Sequence, residues 1–374
     1  MKKILIIGCG VIGLSSAIEI LEKFEKNSVQ VTIVSDQLYH KTTSYAAGMV
    51  FGVHCLGPDA NKQRLKRMES TTFYRYLSEN THIEGVQFLP WITYCPVFQH
   101  EDTSQRIQQI LDERPTNLIE HKVRVIETKD DEGGLFHFPP GAKCLLALSG
   151  IYPYVDPTKY MDTMFYRFQA LGGQFKMLKA PLKSLKFDVI QHSLTQSFGD
   201  FSLVDFDTVI NCTGMGAANL LQDRQMESSQ GHFILAYAPH IRYGWCYPFT
   251  GAYVIPRTDG IVLIGGSHEV NTTTIPDKII LKRIWKYACM VDSSLEKQAT
   301  IVSMGAGLRP FRNKTFRLEK ERDATKQFNF PQNMTLIHNY GYGGSGWSLC
   351  WGSASEVVSM LSSSFSPSSS SSFS

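Results

Sequence analysis

The chain has 374 residues, of which 43% are hydrophobic and 19% are charged, and this composition is typical of globular proteins. Its 37 basic and 34 acidic residues give a net charge of +3, too even for a protein that binds nucleic acid or membrane surfaces through charge. No apolar run reaches the roughly 18 residues of a membrane span. The eight cysteines are scattered, which favours reduced thiols in an intracellular protein over a disulfide framework or a zinc site.

The first predicted unit is a βαβ motif at the N-terminus. The continuous apolar run 4–7 predicts a strand that is buried on both faces. Residues 14–21 have the apolar spacing of a helix. A second predicted strand, 29–34, ends just before Asp36.

The turn between the first strand and the helix carries a G-x-G-x-x-G motif, formed by Gly8, Gly10 and Gly13. These glycines allow a tight turn, a close approach of the backbone to a pyrophosphate, and close packing of helix on strand. The helix N-terminus favours phosphate groups, and Asp36 can accept hydrogen bonds from ribose hydroxyls. FAD and NAD both remain possible at this point, as does a glycine-rich turn that binds no nucleotide.

The rest of the chain alternates between helical and strand patterns, with a mixed pattern from 36 to 150. The predicted helices are 60–80, 104–112, 161–171, 279–291 and 346–361. The predicted strands are 204–210, 233–237, 253–256, 261–265 and 334–338. Residues 362–374 are nearly all serine and are predicted to be disordered.

A second glycine-rich turn follows the strand 334–338. Gly341, Gly343, Gly344 and Gly346 are four glycines within six residues. So bare a backbone lets amide groups reach the polar atoms of a flavin ring, and the turn therefore favours a flavin over NAD.

The segment 336–354 resembles the C-terminal motif of the D-amino-acid oxidase family, which comprises FAD-dependent D-amino-acid oxidases and D-aspartate oxidases. The resemblance extends with gaps from residue 1 to about 361. It is weakest from 80 to 150. Three shorter segments are similar to further motifs of the family: 42–49, 211–214 and 307–310.

The resemblance implies an α/β fold in which a Rossmann-like FAD-binding domain is interleaved with a β-rich substrate-binding lobe. The FAD-binding domain is expected to be discontinuous, with the pieces 1–80, 150–228 and 320–361. The lobe is expected to comprise 81–149 and 229–319, with 362–374 as a disordered serine-rich tail.

FAD is the cofactor that the resemblance implies, and it also implies which residues contact it. These are Gly8, Gly10, Val11, Ile12, Gly13, Asp36, Gln37, Thr42, Thr43, Ala47, Gly48, Met49, Ala180, Thr213, Gly214, Gly343, Gly344, Ser345, Gly346, Trp347 and Ser348. No metal site is expected.

Two residues are expected to hold the substrate's α-carboxylate. Arg309 matches the family's substrate arginine, and a guanidinium can form two parallel charge-assisted bonds to a carboxylate. Tyr253, before a short strand and a proline, matches the family's active-site tyrosine. A surface arginine and a half-buried strand tyrosine are the alternative interpretations.

Three further residues bear on the side chain of the substrate. Arg242 is similar in position to an arginine of D-aspartate oxidases and could pair with a side-chain carboxylate, which is costly to bury unpaired. A solvent-facing loop arginine is the alternative. His268 stands where those enzymes have a second arginine, and a histidine is charged only below about pH 6.5. Gly344 matches the enzymes for neutral substrates instead.

The resemblance thus implies oxidation of D-amino acids, preferably acidic ones, with O2 as acceptor and a 2-oxo acid, ammonia and hydrogen peroxide as products. The alternatives are an oxidase of neutral or basic D-amino acids, an NAD-dependent reductase, and a flavin-binding protein without turnover. A cytoplasmic location is expected, or a peroxisomal one by resemblance, although the chain ends in Ser372-Phe373-Ser374 and not in a peroxisomal tripeptide.

Overall fold

The strands of the protein form two sheets in a computed structural model that describes residues 1–49, 51–53, 56–113, 119–127, 138–270 and 273–365. In chain order the strands are β1 (Lys2–Ile7), β2 (Val29–Ser35), β3 (Val86–Phe98), β4 (Ile119–Glu127), β5 (Ala142–Val155), β6 (Gln174–Met177), β7 (Thr208–Asn211), β8 (Met226–Tyr237), β9 (Gly244–Tyr247), β10 (Ala252–Pro256), β11 (Ile261–Gly265), β12 (Glu269–Val270), β13 (Thr300–Arg312), β14 (Arg317–Lys320) and β15 (Thr335–Tyr340).

The helices surround and connect these sheets. They are α1 (Val11–Lys23), α2 (Thr43–Ala46), α3 (Lys62–Glu79), α4 (Thr103–Glu113), α5 (Pro157–Ala170), α6 (Phe187–Phe198), α7 (Ala217–Leu220), α8 (Lys278–Val291), α9 (Ser294–Gln298), α10 (Ala324–Phe328) and α11 (Gly346–Phe365). A search of the described helices found none with the length and apolarity needed to cross a membrane.

The first sheet has the strand order β14-β15-β7-β1-β2-β6. All neighbours are parallel except β14, which runs antiparallel to β15. Strand β1 lies near the centre, and its residues Ile4, Leu5 and Ile6 are fully buried, as expected for a strand covered on both faces. Because the carboxyl ends of β1, β7 and β15 meet at one edge, the turns that follow these strands lie together.

Helices α1, α3, α5 and α11 pack together on one side of this sheet. Gly352 allows α11 to approach α3 closely, since a Cβ at this position would lie 2.3 Å from the Cα of Met68. Helix α11 also packs against α1 of the N-terminal βαβ unit, so the helices that follow the two glycine-rich turns contact each other.

The second sheet has the strand order β12-β8-β11-β10-β9-β3-β5-β4, and β13 pairs with β8. The long strand β8 therefore contacts β11 and β12 as well as β13. Helix α8 packs against β8, β10 and β11. The α/β fold class predicted from the sequence is confirmed.

The structure departs from the predicted elements at several points. The strand predicted from Val204 begins only at Thr208, because Leu203–Asp205 forms a 3-10 turn that exposes 64% of Val204. The last helix continues past Leu361 to Phe365, and residues 366–374 of the predicted tail lie outside the described part of the chain. Several elements were not predicted, among them strands β3, β5, β6 and β13 and helix α6.

Two of the predicted domain borders fall inside strands of the second sheet. Residue 150 lies within β5 and residue 228 within β8. The border at 320 separates most of β14 from the sheet to which it belongs. The division into a cofactor domain and a lobe stays a prediction, with borders better placed near 86, 155, 226 and 312.

A buried carboxyl group on α3 should make the stability of the protein depend on pH. Glu69 is 7% exposed, its Oε1 has no hydrogen-bond partner among the described residues, and burial raises its pKa to about 7. The pKa of Glu69 is thus higher in the folded protein than in the unfolded chain, where it is near 4.5. Its contribution to stability is fully present below pH 4.5 and is lost as the pH rises through about 7.

We therefore expect Glu69→Gln to raise the free energy of unfolding at pH 8 by up to about 3 kcal/mol and to change it little at pH 4.5. Urea denaturation at both pH values measures this difference. Glu25→Gln, at an exposed glutamate, is the control. Equal effects of the two substitutions at pH 8 would contradict the expectation.

Candidate active site

A cavity of about 1000 Å³ lies where the carboxyl edge of the first sheet faces the second sheet. Most of the residues predicted to bind the cofactor or the substrate line it. These are Gly8, Gly10, Val11, Ile12, Asp36, Gln37, Thr42, Thr43, Ala47, Gly48, Thr213, Gly214, Tyr253, His268, Arg309, Gly343, Gly344, Gly346 and Trp347.

The N-terminal glycine motif forms one end of the cavity, and its geometry excludes side chains. Gly8 has a φ of +112°, and a Cβ there would lie 2.4 Å from the carbonyl oxygen of Cys212. A Cβ at Gly13 would lie 2.0 Å from the carbonyl oxygen of Gly8. A bare turn at the N-terminus of α1 offers backbone N–H groups to a phosphate, so this end fits a dinucleotide.

Ser44 joins the three segments of this end and was not singled out from the sequence. Its Oγ accepts a hydrogen bond from the backbone N–H of Val11 at 3.1 Å. Its carbonyl oxygen accepts one from Nε1 of Trp347 at 3.2 Å. The sequence signal for Ser44 was its place inside the segment 42–49, in which only its neighbours were named.

The second glycine turn forms the wall beside the middle of the cavity. Gly341 and Gly343 have φ values of +90° and +54°, a conformation that favours glycine. The N–H of Gly343 donates to the carbonyl oxygen of Pro310 at 2.8 Å. This bond ties the turn to β13, and Gly344 is left exposed within the cavity.

Arg309 projects from β13 into the other end of the cavity. Its Nη1 donates to the carbonyl oxygen of Ser267 at 3.0 Å. On the neighbouring strand β8, a Cβ at Gly231 would lie 2.2 Å from Nη2 of Arg309. The guanidinium therefore lies across a glycine, and that position of β8 cannot carry a side chain while the arginine keeps this orientation.

Tyr253 lies on β10 and covers the glycine pair that ends β11. A Cβ at Gly265 would lie 2.3 Å from the tyrosine hydroxyl, and one at Gly266 would lie 2.5 Å from its Cε1. The two glycines leave room for the ring, which is half-buried in the cavity wall. The hydroxyl is thus held at the same end of the cavity as Arg309.

Two more basic side chains line this end. Nδ1 of His268 lies 2.8 Å from Oγ of Ser229. Arg283 of α8 also lines the cavity and pairs with Glu269 at 3.2 Å. Sequence reasoning missed Arg283, because nothing in the helical pattern of α8 shows which of its charged residues faces the cavity.

Arg242 was the residue predicted to recognise an acidic side chain, but the structure does not bring it to the cavity. It is exposed and lies outside the cavity lining, in the connection between β8 and β9. The N–H of Ile241 donates to the carbonyl oxygen of Ala238, and Ile241 is 6% exposed. Since this turn buries Ile241, the adjacent arginine points to solvent.

A few predicted cofactor contacts are not among the residues that line the cavity. Gly13 packs against the backbone of Gly8, and Ser348 accepts a hydrogen bond from the backbone N–H of Gly52. Met49 and Ser345 are buried, and Ala180 is exposed beside lining residues. The packing that places these residues outside the lining cannot be read from motif spacing.

Known proteins are similar to this chain in sequence and in fold. The family described as "DAO: FAD dependent oxidoreductase" matches residues 3–360. A D-amino acid oxidase of Dugesia ryukyuensis is 30% identical over 360 residues, which cover 96% of this chain and 97% of the relative. D-aspartate oxidase 1 of Caenorhabditis elegans is 24% identical, with 96% of each chain covered.

Solved structures agree on the fold. Glycine oxidase from Geobacillus kaustophilus has a TM-score of 0.72 at 16% identity, covering 97% of this chain and 95% of that one. L-alpha-glycerophosphate oxidase from Mycoplasma pneumoniae with FAD bound has a TM-score of 0.69 at 17% identity, with 97% and 95% covered. At these identities the similarity shows the fold alone.

Proposed function

Because this chain belongs to the DAO family of FAD-dependent oxidoreductases, we propose that it oxidises D-amino acids with O2 as acceptor and prefers acidic ones. The amine becomes an imine, which water hydrolyses to a 2-oxo acid and ammonia, while O2 is reduced to hydrogen peroxide. The observation that supports this most is the guanidinium of Arg309 at one end of a cavity whose other end is a bare glycine turn.

FAD is the cofactor of the family, and the residues of the cavity fit it. We propose that residues 8–12 hold its pyrophosphate and that Asp36 binds its ribose. The turn 343–347 would offer backbone amides to the flavin ring. When bound, FAD supplies the acceptor for the hydride from the substrate and passes the electrons to O2.

The protein's own contribution is orientation of the substrate. Arg309 would bind the α-carboxylate through two N–H groups, since only one side of its guanidinium is engaged by Ser267. The hydroxyl of Tyr253 would add a second contact. Holding the carboxylate at fixed points directs the α-hydrogen toward the flavin and removes much of the entropic barrier.

The preference for acidic side chains rests on the charges at the substrate end. Arg309, Arg283 and His268 line this end, and among the described lining residues Asp36 is the only carboxylate, at the cofactor end. The side chains of Arg283 and Glu269 are 49% and 42% exposed, so their ion pair is weak. A substrate carboxylate could replace Glu269 as the partner of Arg283, the role first expected of Arg242.

Anaerobic mixing of the FAD-loaded protein with D-aspartate, D-alanine or L-aspartate tests the proposal. We expect D-aspartate to bleach the flavin absorbance fastest and L-aspartate to leave it unchanged. Faster bleaching by D-alanine would favour the neutral-substrate alternative, for which the neutralisation of Arg283 by Glu269 is the supporting observation. A flavin that no D-amino acid reduces would favour a binding protein without turnover.

Substituting Arg283 tests the acidic preference directly. We expect Arg283→Gln to lower kcat/KM for D-aspartate and D-glutamate about tenfold, because one charge-assisted contact is lost. The value for D-alanine should change less than about twofold. Arg242→Gln, at an exposed arginine outside the cavity, is the matched control and should change neither. Equal losses for acidic and neutral substrates in R283Q would contradict the assignment.

The compartment, cytoplasm or peroxisome, stays a prediction.

A further inference from the structure

Ser267 lies in the cavity wall beside the substrate arginine and has an unusual set of hydrogen-bond partners. It follows β11, lines the cavity and is half-buried. Its carbonyl oxygen accepts a hydrogen bond from Nη1 of Arg309. Its Oγ lies 2.8 Å from the backbone nitrogen of His232 and 2.9 Å from Nδ1 of the same histidine.

The other ring nitrogen of His232 determines which tautomer is present. Nε2 accepts a hydrogen bond from the backbone N–H of Asp277 at 2.9 Å. A neutral imidazole has one donor and one acceptor, so an accepting Nε2 leaves the proton on Nδ1. That N–H then donates to Oγ of Ser267.

The charges around His232 are consistent with a neutral ring. The imidazole is 1% exposed, and burial lowers its pKa below the usual value. Asp277 and Glu269 raise this pKa, whereas Arg283 and Arg309 lower it further. Arg283 lies on α8, and Asp277 lies in the turn that precedes this helix. Glu269 lies on β12 and Arg309 on β13.

Hydrogen-bond counting then decides the role of Ser267. A serine hydroxyl has two acceptor positions and one donor hydrogen. The backbone N–H and the Nδ1–H of His232 fill both acceptor positions. The hydroxyl hydrogen is left to point away from His232, and the cavity that holds Arg309 is where an acceptor would lie.

We propose that Ser267 donates its hydroxyl hydrogen to the carboxylate that Arg309 binds, and that His232 is a positioning residue that orients this hydroxyl. The proposal rests on the proposed function, since it needs a substrate that carries a carboxylate. It also gives a role to His232, a buried histidine of β8.

Binding of benzoate, a simple carboxylate, to the FAD-loaded protein tests the donor without turnover. The shift in flavin absorbance reports its Kd. We expect Ser267→Ala to raise the Kd about tenfold and Ser267→Thr, which keeps the hydroxyl, to stay within about threefold. In turnover S267A should raise KM and leave kcat within about threefold, because the bond is made equally in ground and transition states.

A matched control lies at the surface, where Nε2 of His240 and Oγ of Ser294 are 3.0 Å apart and exposed. We expect Ser294→Ala to leave the Kd for benzoate unchanged. Histidine-selective ¹⁵N NMR distinguishes the two tautomers of a neutral imidazole. The signal of His232 is identified by its absence from the spectrum of His232→Leu, and in the wild type we expect it to show a proton on Nδ1 at pH 7. The double variant S267A/H232L should bind benzoate no worse than S267A, since His232 acts through Ser267.

A Kd for S267A within twofold of the wild type would overturn the donor role, and an Nε2–H tautomer would overturn its orientation by His232. Additive losses in the double variant would also overturn the positioning role. Failure of the proposed function is seen separately, as a wild-type flavin that neither responds to benzoate nor is reduced by any D-amino acid, and that result would remove both proposals.

Discussion

Replacing Arg309 with leucine is expected to lower kcat/KM for D-amino acids about 1000-fold, the largest effect of any single substitution in the substrate end of the cavity. The guanidinium of Arg309 is expected to bind the α-carboxylate through two parallel charge-assisted bonds, whereas Arg283 is expected to face the side chain of the substrate. Without it a substrate carboxylate would enter the cavity without its main counter-charge. Steady-state kinetics with D-aspartate and D-alanine measure the loss, which should be similar for both because the α-carboxylate is common to them.

The FAD content of the purified R309L protein should equal that of the wild type, since Arg309 lies at the end of the cavity opposite the N-terminal glycine turn. Arg309→Lys should recover only part of the activity, because an ammonium group cannot form the bidentate contact. Arg242→Leu, at an exposed arginine, is the matched control for loss of a positive charge. A loss of less than tenfold in R309L would remove Arg309 from substrate binding.

Gly8→Ala is expected to abolish FAD binding and to destabilise the protein by about 3 kcal/mol. The added methyl group would lie 2.4 Å from the carbonyl oxygen of Cys212 and 2.9 Å from its carbon. These are backbone atoms of the residue that follows β7, so they cannot move away as the end of a flexible side chain could. The turn between β1 and α1 would open, and the backbone N–H groups meant for the pyrophosphate would be displaced.

Gly172→Ala is the control that separates the two effects of Gly8→Ala, which are steric crowding by the added methyl group and backbone strain at a positive φ. Gly172 has a φ of +89°, like that of Gly8, but an added Cβ meets nothing within 4 Å. We expect G172A to cost about 1 kcal/mol and to keep its FAD. The ratio of flavin to protein absorbance and urea denaturation of both variants are the measurements. A G8A protein that retains FAD as G172A does would contradict the proposal that the turn 8–13 is the cradle for the pyrophosphate.

The elements predicted correctly share one property, which is that their signal is local. The N-terminal βαβ unit and the helix α8 follow from apolar spacing within a dozen residues. Strand β13 was missed, because its first five residues are exposed and the strand is held by pairing with β8. Strands β3 and β5 were also missed, and they too depend on pairing, since they pair with each other along almost their full length.

The candidate site shows the same division. The cradle residues Gly8 and Gly10 were predicted, because the glycine motif that identifies them is contiguous in the chain and its geometry depends on its own backbone. Arg242 was predicted to lie in the site but is found outside the cavity lining, and Arg283, which lines the cavity, was not predicted. Whether an arginine reaches a cavity depends on how a turn or helix packs on the sheet, and one sequence carries no record of that packing.

By itself, then, the sequence determined the βαβ framework, the glycine cradle, the family and its cofactor, and the arginine of the motif 307–310. Only the tertiary structure decided which charges surround the substrate end, because those side chains come from separate elements. Ser267 after β11, His232 on β8 and Arg283 on α8 meet through sheet pairing and helix packing. Their hydrogen-bond roles depend on distances between strands far apart in the chain, and such distances exist only once the chain is folded.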